Sequence, residues 1–90
     1  MKVQNMTSAK GNTVANQFII KDGHAKYFQS YSSIIAKIEQ RVTKTLIYLD
    51  ENYWDYSVTT SRYRNQFLGM DTKEIKAAIK SGLIELENLN

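Results

Sequence analysis

Apolar residues recur at every second position through most of this chain and then, beyond about residue 59, at every third or fourth. That one change of period constrains the fold more than any other feature. Strands need period two and helices need 3.6, so the chain reads as an α+β domain with its sheet first and its helices last. About four or five strands are expected, arranged as an antiparallel meander and packed with two C-terminal helices near 59–68 and 72–81. Ninety residues without a Pro, a linker or an internal repeat make this a single domain, 1–90.

The sharpest local signal is Asp22-Gly23 between two alternating segments. A type I′ turn needs positive φ at both central positions, and Asp-Gly supplies it at little steric cost. A hairpin therefore follows, with strands near 13–21 and 24–31. A two-residue loop there would pair Phe18 with Tyr27, Ile20 with Ala25 and Val14 with Tyr31, all on one apolar face. Gln17, Lys21, His24, Lys26 and Ser30 gather on the other, with Ala15, Ile19 and Phe28, as in a half-solvated sheet. The segment 34–39, short and β-branched, fits either a short helix or a strand, with strand favoured; 43–49 is read as another strand and Leu83-Ile84-Glu85-Leu86 as a weak return to the sheet edge.

Boundary signals are densest around the last helix. Asp71 at the N-cap and Glu74 three residues on form a capping box, Met70 and Ile75 suit a hydrophobic staple, and Gly82 suits a left-handed end. In the preceding helix Tyr63 and Phe67 lie one turn apart on the inner face, Gly69 terminates it, and Ser57 or Thr59 caps its start.

Composition removes whole classes of chemistry. With no Cys and one His, His24, the chain lacks thiolate nucleophiles, disulfides, iron–sulfur ligation and any intrachain multi-His metal site. No phosphate-binding Gly loop is present. The hydroxyls of Ser57, Thr59, Thr60 and Ser61 have no sequence-near base, and Asp50, Glu51 and Asp55 match no calcium-loop spacing and read as a solvated loop. The expectation is a protein that is not an enzyme and carries no cofactor or metal. No apolar stretch approaches a membrane span, and the start lacks an apolar leader, so use in the cytoplasm is expected.

Contact chemistry remains. The net charge is +3, but residues 1–49 hold seven basic and two acidic side chains while 50–90 hold five and seven, which marks a basic first half. Tyr53-Trp54-Asp55-Tyr56 crowds aromatics so that Trp54 joins the core while Tyr53 or Tyr56 presents a ring to a partner. Thr59, Thr60, Arg62 and Arg64 combine helix-start amides, hydroxyls and guanidiniums into a candidate anion site.

The strings Phe28-Gln29-Ser30-Tyr31-Ser32-Ser33-Ile34-Ile35-Ala36, Asp55-Tyr56-Ser57-Val58-Thr59-Thr60-Ser61-Arg62-Tyr63 and Phe67-Leu68-Gly69 resemble a pattern of small uncharacterised phage and prophage proteins. In these a Ser-Tyr-x-x-x-Ile-Ala segment precedes a Tyr-Ser-x-Thr-Thr helix start. The likeness spans about 11–69 and includes Gly11-Asn12 and Val14-Ala15-Asn16-Gln17-Phe18. Many relatives carry His where this chain has Tyr63, so no imidazole role transfers. The resemblance implies a phage accessory protein acting in the host bacterial cytoplasm, a non-enzymatic inhibitor or sequestering agent of a host defence or nucleic-acid-handling factor, a class that includes anti-CRISPR inhibitors. Its partner would be a host protein or nucleoprotein complex. Direct nucleic-acid or nucleotide binding is the alternative reading, and a structural virion component the third.

Overall fold

A computed structural model describes residues 1–90. The elements run β1 (Lys2–Thr7), β2 (Thr13–Asp22), β3 (Ala25–Ser30), β4 (Ser33–Gln40), β5 (Thr45–Asp50), α1 (Val58–Leu68), α2 (Thr72–Ser81) and β6 (Ile84–Glu87). The six strands lie in sequence order in one sheet. β1 to β5 are antiparallel neighbours, so the α+β meander with two C-terminal helices stands as expected. Two features differ from the expectation. β6 pairs parallel to β5, because the α1–α2 crossover returns the chain to the same end of the sheet. β1 is an additional strand, which sequence reading misses because its two apolar residues differ in parity: Met6 is buried and Val3 is 59% exposed.

The hairpin forms one residue later than Asp22-Gly23 implies. Asp22 pairs with Ala25, so Gly23-His24 are the central residues, and only Gly23, at φ 61°, needs positive φ. That is the type II′ requirement. Ile20 consequently faces Tyr27 and Phe18 faces Gln29, a slip of two positions from the expected partners. A slip of two preserves sidedness, so Phe18, Ile20, Ala25 and Tyr27 still share a face. Val14 leaves that face. Asn16, at φ 63°, breaks the alternation and Val14 packs on the core instead.

The helices cover the side that looked half-solvated. Phe28, Ile35, Ala36, Leu49 and Ile84 of the sheet meet Tyr63 of α1 and Ile75 and Ala78 of α2. Buried polar groups on this side are matched across the interface, with the Ser30 and Thr60 hydroxyls 2.9 Å apart. Gln17 is the exception, its Oε1 buried without a partner. At the bulge between β3 and β4, successive residues Ile35 and Ala36 are both fully buried.

Local signals place both helices. Ser57 accepts from the Thr60 amide at 3.1 Å and Gly69 closes α1 at φ 68°. For α2, Asp71 Oδ1 accepts from the Glu74 amide at 2.7 Å while Glu74 Oε1 accepts from the Asp71 amide at 3.1 Å, and Gly82 ends it at φ 89°. No helix is long and apolar enough to cross a membrane.

Candidate functional site

The helix-start residues do not converge on a ligand. Arg64 is fully buried, and its guanidinium donates to the Trp54 carbonyl, to Asn65 Oδ1 at 2.9 and 3.1 Å, to Thr72 Oγ1 at 3.1 Å and to Asp55 Oδ1 at 3.4 Å. It also lies over the Trp54 ring, 5.4 Å from its centroid. Burial pulls the Arg64 pKa below the ordinary guanidinium value, and Asp55 opposes that shift. This arginine joins the 51–56 loop to α1 and α2 and is unavailable to an anion. Thr60 is buried against Ser30, while the Ser57 hydroxyl already holds the Thr60 amide. Exposed members remain: Thr59, Arg62 and the Tyr53–Tyr56 pair, whose rings meet edge-on at 5.6 Å. Tyr56 and Arg62 line a groove of about 520 Å³, but Asp55 and Asn65 share it, so it has no net pull on anions.

Nor is the carboxylate-rich loop simply solvated. Asp50 is fully buried and accepts from the amides of Asn52 (3.0 Å), Tyr53 (3.1 Å) and Leu89 (2.8 Å) and from Asn90 Nδ2 (3.0 Å). Burial works against its charge, yet these donors, Leu89 and Asn52 foremost, outweigh it and hold its pKa below the usual carboxylate value.

The larger feature is the side of the sheet that no helix covers. One row of directly opposed residues crosses all six strands there: Val3, Ile20, Tyr27, Lys37, Tyr48 and Glu85. Phe18 and Leu46 flank it and are half-buried only by their neighbours in the sheet. At its centre Lys37 Nζ lies 5.7 Å from the Tyr27 ring centroid and 5.5 Å from that of Tyr48. Charge is compensated within the face. Glu39 bonds Lys37 at 3.3 Å and Arg41 at 2.6 Å. Partial burial works against the Lys37 charge, but Glu39 more than restores it and the lysine pKa rises; Arg41 first, then Lys37, lowers that of Glu39. A groove of about 650 Å³ opens beside these groups, between Tyr27 and the exposed His24 at the hairpin turn.

Sequence reading placed Phe18 and Tyr27 on one face and left open which face the helices cover. Tyr48 and Lys37 it missed, because joining them to Tyr27 requires the registers of two strand pairs, β3 with β4 and β4 with β5.

The sequence pattern of DUF8033, a family of unknown function, matches residues 1–82. This chain belongs to the DUF8033 family. No curated protein and no solved structure matches it. The DUF8033 match takes in β1 to β5 and both helices, so it includes every column of the uncovered face except that of β6.

Proposed function

We propose that this DUF8033 protein is a phage accessory protein that works by contact, inhibiting or sequestering a host defence or nucleic-acid-handling protein in the bacterial cytoplasm. The observation that carries the reading is the uncovered row Val3–Ile20–Tyr27–Lys37–Tyr48–Glu85, an aromatic and aliphatic surface on a rigid sheet. Tyr27 and Tyr48 flank a central Lys37 whose charge is paired within the patch, and tyrosines are among the residues enriched at protein-recognition surfaces. Six strands of about six residues give a flat area on the order of 500 Å² before side-chain relief is counted, which approaches the roughly 800 Å² per partner of a standard interface. Because Glu39, paired with both Lys37 and Arg41, and Glu85 in the same row together balance the two cations, the face favours a protein with its own mixed apolar and polar surface over a polyanion. Sequence likeness to small phage proteins supplies the biological setting.

The test is affinity capture from a bacterial lysate, with and without nuclease, by the natural protein and by Phe18→Thr/Tyr27→Thr/Tyr48→Thr. These substitutions keep β propensity and leave the helix-facing core untouched. A single host protein recovered in both nuclease conditions, lost by the triple variant and retained by Tyr53→Ala/Tyr56→Ala, is the expected result. Undiminished capture by the triple variant, in folded form, overturns the assignment of this face. Recovery that depends on nucleic acid and is lost by the triple variant overturns the choice of a protein partner for this face.

A further inference from the structure

On the helix side of the sheet, one residue along from the uncovered row, Lys2, Lys21 and Lys26 stand directly opposite one another on three successive strands. All three are exposed. The same row continues through Ile38, Ile47 and Ile84, so its second half enters the interior while its first half protrudes past the helices. None of the lysines forms an ion pair; the chain's ion pairs are Lys37–Glu39, Arg41–Glu39 and Arg64–Asp55. Like charges placed opposite each other across strands destabilise a sheet, so this alignment works against folding and needs another reason.

We infer that the Lys2–Lys21–Lys26 row binds the phosphate backbone of a single-stranded nucleic acid laid across β1, β2 and β3. Neighbouring strands lie about 4.8 Å apart, so the row presents three ammonium groups in line on flexible four-carbon stems. Lys binds phosphate as a point charge and imposes no forked geometry, so three ammonium groups in line suit the regularly repeated charge of a flexible phosphodiester strand. Beside the row lies a half-buried aromatic, Phe67, whose ring centroid is 5.8 Å from Lys26 Nζ, within reach of a base from a strand held there. An acidic membrane would instead call for an apolar flank able to insert, and the row's exposed neighbour on β1 is Gln4. This surface and the face assigned above lie on opposite sides of the sheet, so each stands or fails alone.

The probe is fluorescein-labelled oligothymidylate, titrated into the natural protein over a range of salt concentrations. Three neutralised phosphates give a slope of about −2 in log K against log salt for a single strand. Lys2→Gln/Lys21→Gln/Lys26→Gln should flatten that slope to near zero and weaken binding at low salt by at least tenfold. Its melting temperature should be unchanged or raised, and capture of any protein partner through the opposite face should persist. A natural protein that does not bind the probe overturns the inference, as does a triple variant that keeps the slope. Binding to phosphatidylserine vesicles without binding to the oligonucleotide also overturns it.

Discussion

Replacing Asp50 with Asn separates the charge of this buried carboxylate from its shape. Asp50 uses both oxygens, Oδ2 for the Asn52 and Tyr53 amides and Oδ1 for the Leu89 amide and Asn90 Nδ2. An amide side chain has one acceptor oxygen, so two of the four bonds are lost in either orientation, and its NH₂ group then faces two donors. A hydrogen bond to a charged group contributes roughly 1.5–3 kcal/mol, and amides at an exposed turn recover part of that from water; the expected loss is about 2–3 kcal/mol near neutral pH. The pH dependence is the sharper test. The folded pKa of Asp50 is depressed, so its contribution is complete above the ordinary carboxylate value of about 3.9 and is lost as pH falls through the lower folded value. The stability difference between the natural protein and Asp50→Asn should therefore hold above about pH 5 and close progressively toward about pH 2, as Asp50 gains a proton and comes to resemble the amide. Urea unfolding followed by the single tryptophan, Trp54, whose own amide donates to the Asp50 carbonyl, reports both quantities. A difference that stays constant across this window would refute the role assigned to the charge.

Arg64→Met retains volume but leaves the Trp54 carbonyl and Asn65 Oδ1 without their buried donor, and should cost about 2–4 kcal/mol in urea unfolding, whereas the exposed Arg62→Ala should stay within about 0.5 kcal/mol. Equal effects would contradict the structural reading of Arg64. Tyr31 opens the β3–β4 turn at φ 55°, where a side chain is strained, so Tyr31→Gly should stabilise by about 0.5–1 kcal/mol after glycine's entropic cost is set against the relief. A lowered thermal midpoint would show that the ring makes compensating contacts.

The elements legible in the sequence are those fixed by signals a few residues apart. Asp71, Glu74 and Gly82 act within one turn of each end of α2, and its observed span, Thr72–Ser81, coincides with the expectation of 72–81. What escaped depends on distant parts of the chain. Gly23 marked the hairpin, but whether Asp22 joins the strand or the turn is a choice between two turn types with different partners, and the sequence carries Gly for both. Which side of the sheet is covered turns on long-range pairs such as Ser30 with Thr60, thirty residues apart. Arg64 read as a surface cation because arginine is rarely buried unless paired, and its partners come from three separate segments. The crowding of Tyr53-Trp54-Asp55-Tyr56 implied that one of Tyr53 and Tyr56 reaches the surface; both do, exposed by 38% and 49%.

Solubility alone does not account for how the two sides of the sheet are dressed. α1 and α2, at 11 and 10 residues, are each about 15–17 Å long, whereas six strands span about 24 Å, so part of the helix side has to meet water. Any polar residues would serve there, and alternating signs across the strands would add stability instead of removing it. The chain builds such a compensated arrangement where it places Lys37, Glu39 and Arg41 together. It does not do so at Lys2, Lys21 and Lys26, where three like charges face one another, nor does it use polar residues for the row Val3–Ile20–Tyr27, which lies on a side with no helix at all. The lysine alignment lowers the stability of the isolated domain and the apolar row lowers its solubility, and each is relieved by a partner of the matching kind. An apolar protein surface would relieve one and a run of phosphates the other. A host factor that itself holds a nucleic-acid strand offers both within one complex, on the two sides of a sheet one residue thick.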